Sequence, residues 1–314
     1  MTKTSTVGGG KSVFRHRLGR VYYIKHVLQT LFIRRLSFYA NKNLKNNDPQ
    51  VCLFAFDGIA TTINVKGIYE REQLDTLIGW LKQKRLIGGA VLDIGANIGN
   101  HSLYFSKYYD QVLSFEPNPR TFRLLELNAA LTDNIKPFNF GMSDSSGHVF
   151  MQQFRENMGG SRIVDPVGNT AEHIQIEVRT LDSVASEVAM SIGLIKLDVE
   201  GHELAALNGA RNTIASHRPI ILFEQNAADF KNGVSPVMEL LKSLGYASFA
   251  TVMPSPLLPS WLPNMLKAPI TAAARFLMGF DYVIAINKDI TPGFYSFIIA
   301  IPDQFAQHAA PTKE

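Results

Sequence analysis

A glycine-rich turn that begins with an aspartate is the first part of the chain whose residues could do chemistry. Asp93 ends a short apolar run, and Gly95 and Gly99 follow it with three residues between them. Glycine lets the backbone turn tightly and approach a ligand without a Cβ in the way. A helix after the turn would offer free N–H groups at its start. The pattern therefore predicts a binding loop between a strand and a helix, against the alternative of an ordinary tight turn.

The glycine spacing and the charge of Asp93 separate two kinds of cofactor. Dinucleotide-binding turns have the pattern G-x-G-x-x-G, and their N–H groups face pyrophosphate. Here the spacing is G-x-x-x-G, and the carboxylate of Asp93 would repel pyrophosphate. A carboxylate suits a cation, and S-adenosylmethionine carries both an ammonium and a sulfonium group. We therefore expect an S-adenosylmethionine site that includes Asp93, Gly95, Asn97 and Gly99.

Acidic residues also follow the next two predicted strands. Glu116 ends the strand expected over residues 111–116, where it could accept hydrogen bonds from both ribose hydroxyls of the cofactor. Ser143 and Asp144 follow the strand expected over residues 135–140, and there Asp144 would accept from the adenine amino group. The same Ser-Asp-Ser-Ser-Gly segment is also typical of a turn. A cofactor contact and a simple turn both remain open for it.

Ionisable residues cluster at the end of the fourth strand of the predicted sheet, in the sequence Lys196-Leu197-Asp198-Val199-Glu200-Gly201-His202-Glu203. In an open parallel sheet, ligands bind beyond the carboxyl ends of the strands, near the point where strand order reverses. We expect Asp198 near the methionine end of the cofactor and Glu200 as base or acceptor-positioning residue, with His202 as second candidate base. Acids also favour the start of a helix. That is the role expected for Glu203 and the alternative for Glu200.

Three oxygen-bearing residues end adjacent predicted strands. Asp198, Glu224 and Asn226 are hard ligands that would suit Mg²⁺ or Ca²⁺. Polar residues that line a cleft without a metal explain the same pattern, and we favour that interpretation. The sequence therefore predicts no metal site.

Alternating strands and helices must position these residues. Strands separated by helices predict a parallel, doubly wound α/β sheet of Rossmann-like type. Residues 147–180 are expected as strands and loops over the sheet edge. Helices are predicted over residues 69–84, 97–108, 119–131, 203–216 and 234–244, and strands over 90–93, 111–116, 135–140, 192–198, 220–224, 246–252, 282–287 and 294–301.

Charge divides the chain into a basic arm and a mildly acidic body. Residues 1–47 hold ten Lys and Arg and no Asp or Glu, whereas the other residues hold 21 basic and 27 acidic side chains, a net of −6. This partition argues against a nucleic-acid surface over the body. Residues 12–40 carry apolar residues at helical spacing with cations between them. We predict a helix that either lies on an anionic membrane leaflet or packs on protein with its cations solvated.

We divide the chain into four parts. These are a basic helical arm (1–48), a lead-in with short strands and a helix (49–88), a cofactor-binding domain (89–302) and a flexible tail (303–314).

The cofactor-binding domain contains an apolar insertion over residues 253–281. Its prolines make it too broken for one helix in this interpretation, because proline interrupts a helix interior. Its apolar residues could add a second membrane contact, namely Trp261, Leu262, Met265 and Phe276.

The cellular location follows from what the sequence lacks. Cys52 is the single cysteine, so no internal disulfide can form. The polar N-terminus has no apolar run of the kind found in secretory signals. No stretch of about 18 uncharged apolar residues suggests a membrane span. We expect a cytoplasmic protein, at most peripheral at the inner face of a membrane.

In their order along the chain, the motifs resemble those of the FkbM family of S-adenosylmethionine-dependent methyltransferases. The resemblance implies a class I methyltransferase sheet, mostly parallel with an antiparallel strand near its C-terminal end. It also implies O-methyl transfer to a hydroxyl of a sugar, glycolipid or secondary metabolite, often in polysaccharide biosynthesis. The matching segments are GIYE (67–70), LDIGANIG (92–99), FEPN (115–118), GMSDSSG (141–147), TLD (180–182) and IKLDVEG (195–201).

Departures from the family pattern leave the acceptor open. His202 stands where the family usually has a small residue, and the basic arm and the apolar insertion are additions. We expect a small-molecule or glycan acceptor and no nucleic acid, and the sequence does not fix the oligomeric state.

Two other functions remain as alternatives. One is an NAD-dependent oxidoreductase on a related fold, against which the glycine spacing and Asp93 count. The other is a non-catalytic cofactor-binding module, against which the intact set of Asp93, Glu116, Asp198 and Glu200 counts.

Overall fold

A computed structural model describes residues 2–7, 11–16, 19–153, 160–164, 173–185, 188–255, 264–287 and 290–305. Within these ranges the chain forms an eight-stranded sheet, a smaller four-stranded sheet and an N-terminal hairpin.

The strands are β1 (Thr2–Val7), β2 (Lys11–His16), β3 (Ala90–Ile94), β4 (Gln111–Phe115), β5 (Ile135–Phe138), β6 (Gly141–Met142), β7 (Gly147–Gln152), β8 (Arg162–Val164), β9 (His173–Arg179), β10 (Ile192–Leu197), β11 (Ile220–Gln225), β12 (Ser248–Pro254), β13 (Tyr282–Asn287) and β14 (Tyr295–Ile301). The helices are α1 (Arg20–Lys45), α2 (Gly58–Lys66), α3 (Arg71–Gln83), α4 (Asn100–Phe105), α5 (Pro119–Ala129), α6 (Leu181–Val184), α7 (Glu203–Asn208), α8 (Arg211–His217), α9 (Pro236–Ser243) and α10 (Asn264–Met278).

The large sheet has the strand order β13-β12-β14-β11-β10-β3-β4-β5. Five neighbouring strands of this order pair in parallel, namely β11, β10, β3, β4 and β5. Strand β14 runs antiparallel between β11 and β12, and β13 pairs antiparallel with the outer edge of β12. The predicted doubly wound, mostly parallel sheet with an antiparallel strand near its C-terminal end is confirmed. Strand order reverses between β3 and β10, which is where open α/β sheets bind ligands.

Helices cover both faces of this sheet, because successive side chains of a strand point to opposite sides. One face packs against α3 and α4, and the other against α7, α8 and α9. The central strands are accordingly apolar on both faces, as expected of buried parallel strands. Val91, Val112, Leu194 and Leu222 face the first layer, and Leu92, Leu113, Ile195 and Phe223 face the second.

The N-terminal arm differs from its prediction. Residues 11–16 pair with residues 2–7 as a hairpin, so the helix predicted over residues 12–40 begins later, at Arg20. It continues to Lys45, beyond its predicted end at residue 40, through the polar residues 41–45. Lysine is a good helix former and asparagine is tolerated within a helix. The helix ends only before Asn47, which has a left-handed φ of 57°.

The short strands predicted in the lead-in, over residues 51–65, are wrong, because residues 51–57 form no strand and α2 begins at Gly58. Asp57 caps this helix by accepting a hydrogen bond from the backbone N–H of Ile59 at 2.7 Å. Gly67, with a φ of 82°, ends it. Threonine and isoleucine suggest a strand by composition, but the capping residues at the two ends select a helix.

The apolar insertion contains a helix, so the prediction that it is too broken for one is wrong. Pro269 lies in the second turn of α10, and the helix continues to Met278 beyond it. Met265 and Phe276 are exposed on this helix, whereas Trp261 and Leu262 lie outside the described residues. None of the helices that the structure describes combines the length and apolarity needed to cross a bilayer.

The helix predicted over residues 203–216 is two helices, because the chain breaks at Gly209. A Cβ at this glycine would lie 1.9 Å from the carbonyl oxygen of Ser143. The absence of a side chain at Gly209 therefore lets the end of α7 approach the loop after β6, which brings two predicted site segments together.

Candidate functional site

The loop after β3 has the left-handed backbone that its glycines predict. Gly95, Asn97 and Gly99 have φ values of 76°, 51° and 86°. A Cβ at Gly95 would lie 1.9 Å from the carbonyl oxygen of Asp198. The backbone N–H groups of Gly95 and Ala96 both donate to the carbonyl of Phe115 at 3.0 Å. The loop is therefore fixed against the ends of β4 and β10, with no room for a side chain at Gly95.

Asp93 lies beneath this loop, and its carboxylate does not line the cavity above. The side chain is fully buried and accepts a hydrogen bond from the Ser102 hydroxyl at 2.6 Å. Its other oxygen lies 3.1 Å from Nζ of Lys196. The expected direct attraction between Asp93 and a cationic cofactor therefore needs correction, because a lysine already neutralises this carboxylate.

Lys196 is the central cation of the site, and sequence reasoning gave it no role. It is the residue opposite Asp93 in the pairing of β10 with β3. Its ammonium donates to the carbonyl of Gly95 at 2.9 Å and lies 3.5 Å from Asp198. Burial acts to lower the pKa of Lys196, but the charges of Asp93 and Asp198 outweigh it and raise the pKa. A lysine within an otherwise apolar strand was the signal available in the sequence.

Glu116 occupies the position predicted for a ribose-binding acid, at the end of β4. It is 8% exposed, and its two oxygens accept hydrogen bonds from the backbone N–H groups of Asn97, at 3.1 Å, and Asn118, at 2.8 Å. Burial raises its pKa to about 7, against the opposing effect of these two hydrogen bonds. The carboxylate is thus held in place with lone pairs left for a ligand that donates hydrogen bonds.

A pocket of about 620 Å³ opens above the loop. Met151 and Ile163 of the small sheet close one side of it, and they lie in the segment 147–180, where the sequence predicted strands but no site residue. Six of the predicted site residues line the pocket, namely Gly95, Asn97, Glu116, Asp198, Glu200 and His202.

Ser143 and Asp144 lie beside the pocket and do not line it. The Ser143 hydroxyl is 2.9 Å from Nε2 of His202, and Asp144 is exposed. Met142, directly before them, does line the pocket. Gly99 also lies behind the pocket, where it begins α4. Sequence reasoning therefore located the right loops but not the orientation of every side chain.

The turn after β10 carries the remaining predicted residues. Glu200 and Gly201 have left-handed φ values of 53° and 93°. Glu203 accepts hydrogen bonds from the backbone N–H groups of Val199 and Gly201, at 3.2 and 3.3 Å. Glu203 thus holds the turn at the start of α7, and Glu200 on the same turn borders the pocket. Burial lowers the pKa of His202, which favours its neutral imidazole.

A wider cleft of about 1470 Å³ shares Asn97, Asp198 and Glu200 with the first pocket. Its far wall includes Tyr69 and Glu70, from the segment before α3, together with Glu224 at the end of β11. The sequence gave Tyr69 and Glu70 no role.

Acidic neighbours shift several pKa values in this cleft. Burial and the Asp198 charge raise the pKa of Glu200 to about 7. Burial and the charges of Asp198 and Glu200 raise that of Glu224 to about 8. Asn226 donates a hydrogen bond to Glu224 at 3.2 Å. Among the described residues, no group of three or more His, Cys, Asp or Glu side chains could hold a metal ion.

Comparisons with known proteins assign this part of the chain to a family. Residues 93–248 match the methyltransferase FkbM domain. The chain is 31% identical over 163 residues to hexuronic acid methyltransferase AglP of Haloferax volcanii, covering 51% of this chain and 62% of that protein. It is 31% identical over 153 residues to methyltransferase sdnD of Sordaria araneosa, covering 38% and 59%. It is 28% identical over 172 residues to 2-O-methyltransferase NoeI of Sinorhizobium fredii, covering 49% and 70%. The match spans about three fifths of the length of the first two relatives.

The contacts of Lys196 predict that its replacement destabilises the fold. In a Lys196→Met variant the carboxylate of Asp93 stays buried without its cation, which costs about 3 to 5 kcal/mol in comparable cases. Urea denaturation should show a loss of this size in the free energy of unfolding. As a control, Lys242→Met removes an exposed pair with Glu239 and should cost less than about 1 kcal/mol. Equal losses for the two variants would contradict this role of Lys196.

Proposed function

Residues 93–248 make this chain a member of the FkbM methyltransferase family, and on that premise we propose that it is an S-adenosylmethionine-dependent O-methyltransferase. Its acceptor is a hydroxyl of a sugar, glycolipid or secondary metabolite. The observation that carries the proposal is the junction of two cavities at Asn97, Asp198 and Glu200. A cofactor in one cavity and an acceptor in the other would meet there. The family match favours this function over the NAD-dependent oxidoreductase and the non-catalytic module.

The residues of the smaller pocket fit the cofactor. The left-handed loop at Gly95 and Asn97 lines this pocket with backbone that passes close to β10, because a Cβ at Gly95 would lie 1.9 Å from the carbonyl oxygen of Asp198. Glu116 offers a fixed carboxylate to the ribose hydroxyls, and Ser143 and Asp144 stand at the adenine end, beside Met142. Asp93 supports this site from below through Lys196 rather than by direct contact. Gly99 contributes by starting α4 behind the loop.

Glu200 is the residue that we assign as the base. When bound, S-adenosylmethionine supplies a methyl group on a positively charged sulfur, and transfer breaks that carbon–sulfur bond. The acceptor oxygen gains the methyl group, and its proton passes to the carboxylate of Glu200, whose side chain borders both cavities. Asp198 lies at the same junction and orients the methionine end. His202 is less suited as base, because its Nε2 is close to the Ser143 hydroxyl and it borders the smaller pocket.

The basic arm supports a second part of the proposal, contact with an anionic membrane at its inner face. Helix α1 has no buried residue, and apolar side chains such as Leu28 and Phe32 are 61% and 65% exposed. The helix also carries six Lys and Arg and no Asp or Glu. Apolar residues beside cations suit the surface of an anionic leaflet, where each cation contributes about 1 kcal/mol. Packing on a second subunit is the other outcome that the test below can give.

Cofactor binding can be measured directly with S-adenosylhomocysteine. Calorimetry should give a micromolar Kd, which Glu116→Ala weakens at least tenfold, or roughly 1.4 kcal/mol. Ribose hydroxyls favour the ionised carboxylate, so affinity should rise with pH through about 7, and Glu116→Ala should lose this dependence. As a control, Glu126→Ala changes an exposed carboxylate on α5 and should bind like the wild type. Absence of binding to the wild type would contradict the proposed cofactor.

The role of Glu200 predicts a pH profile for methyl transfer. Because its pKa lies at about 7, the wild-type rate should rise with pH and level off once the carboxylate is ionised. Glu200→Gln should lose about 100-fold or more in rate and should lose the pH step, while its affinity for S-adenosylhomocysteine stays within twofold.

The assay follows labelled methyl groups from S-adenosylmethionine into glycans, glycolipids and small metabolites. His202→Ala serves as the control that keeps the pH step. A Glu200→Gln variant with the wild-type rate and profile would remove Glu200 from this role.

Vesicle flotation tests the arm. Wild-type protein should float with vesicles of phosphatidylcholine and phosphatidylglycerol, and not with phosphatidylcholine alone. Reversing two cations in Arg34→Glu/Arg35→Glu should reduce binding at least tenfold. Lys107→Glu/Arg123→Glu makes the same change of charge at exposed positions of the body and should leave binding unchanged. Equal flotation of both double variants, or a dimer that does not float, would reject the membrane contact.

A further inference from the structure

The cleft that would receive the acceptor has a strong excess of negative charge. Among the described residues that line it, Lys66 is the single cation, and its ammonium is 3.1 Å from Glu72. From behind the wall, Nε2 of His101 lies 3.3 Å from Glu70 and Nζ of Lys196 lies 3.5 Å from Asp198, so the carboxylates still outnumber the basic groups beside them. The carboxylates of the cleft are Asp57, Glu70, Glu72, Asp198, Glu200 and Glu224.

The carboxylates near the cofactor junction have few partners. Asp198 lies 3.5 Å from Lys196, and Glu224 accepts a hydrogen bond from Asn226. Burial and the neighbouring acids raise the pKa of Glu200 and that of Glu224. Burial, followed by the charges of Glu70, Asp198, Glu224 and Asp57, raises the pKa of Tyr69 on the cleft wall to about 12. Burial is the largest cause of each of these pKa shifts, and the neighbouring negative charges act in the same direction.

The polar side chains of the wall are hydrogen-bond acceptors, and they suit a ligand that donates hydrogen bonds. Oε1 of Gln73, which lines the cleft, is buried and has no hydrogen-bond partner in the part of the chain that the structure describes. It is an acceptor, as are the ionised carboxylates around it. A ligand rich in hydroxyl or ammonium donors would satisfy them, whereas a ligand with its own carboxylate or phosphate would add a further acceptor and a further negative charge.

Aromatic side chains complete the cleft. Tyr69, Tyr282 and Phe294 line it, and Phe294 is 65% exposed. An aromatic face offers an apolar surface, and it attracts a cation placed over the ring. Carboxylates beside such faces suit a compact ring that carries several hydroxyls, with or without an amine.

We propose that this cleft selects its acceptor by charge, taking a sugar that has no anionic group and preferring one that carries a protonated amine. This inference rests on the proposed methyl transfer and narrows its acceptor class. It sets this chain apart from its relative whose name states hexuronic acid, because a uronate would enter a cleft in which carboxylates outnumber cations. The same charges attract an ammonium through charge-assisted hydrogen bonds.

Three β-1,4-linked tetrasaccharides test the proposal with one scaffold: a glucosamine tetramer, cellotetraose, and the tetrauronate made by oxidising cellotetraose at C6. Calorimetry of the wild-type protein saturated with S-adenosylhomocysteine should rank them amine, neutral, uronate. We expect at least tenfold between the first and the last. Added salt should shrink that difference, because screening weakens the interaction between charges. Equal affinities, the reverse order or no measurable binding of all three would overturn the proposal.

Variants locate the effect in the cleft. Glu70→Gln/Glu224→Gln should reduce the preference for the amine over the uronate at least threefold and leave the Kd for S-adenosylhomocysteine unchanged. The control Glu126→Gln/Asp133→Asn neutralises two exposed carboxylates that do not line the cleft and should keep the full preference. The salt titration of the wild type needs no variant, so it tests the same point if the double variant does not fold.

The two proposals fail in different ways. Protein that binds S-adenosylhomocysteine without ranking the sugars by charge would overturn only the selectivity. Protein that does not bind S-adenosylhomocysteine would overturn the proposed function itself.

Discussion

The ion pair between Lys196 and Asp93 is the interaction on which the rest of the site depends. Both side chains are buried at neighbouring positions of β10 and β3, at the point where the strand order reverses. The same ammonium donates to the carbonyl of Gly95 and lies close to Asp198. One buried cation therefore connects the glycine loop with the turn that carries Glu200. Buried charges are stable only when paired, so this arrangement fixes both segments relative to each other.

The site combines two regions that differ in their balance of charges. Beneath the glycine loop the charges are compensated, because the buried Lys196 faces the fully buried Asp93 and also lies 3.5 Å from the partly exposed Asp198. Across the cleft the negative charges are compensated only in part, and burial together with mutual repulsion raises the pKa values of Glu200 and Glu224. A base with a pKa near neutrality can take up a proton and release it again. The ion pair beneath the loop thus provides rigidity, while the carboxylates of the cleft provide reactivity.

Local patterns were enough to predict the doubly wound sheet, the glycine loop and the acids at the ends of β4 and β10. They did not predict that Asp93 would face Lys196, because strand register decides this contact and the two residues are far apart in sequence. Helix α2 was missed because its Thr and Ile content suggests a strand, while its ends depend on the cap at Asp57 and on Gly67. The cleft wall at Tyr69 and Glu70 was missed for a similar reason, since only tertiary packing brings that segment beside Asp198.

The two cavities draw on different parts of the chain. The smaller pocket is lined entirely from within residues 93–248, the family domain, whereas most of the cleft wall comes from α2, the start of α3, β13 and the segment before β14. Substitutions in those flanking elements can reshape the cleft without touching the glycine loop or Glu116. Members of one family can therefore keep the same cofactor pocket and differ in the acceptor that they modify. Evolution can change the acceptor cleft through its flanking elements while the cofactor pocket stays intact.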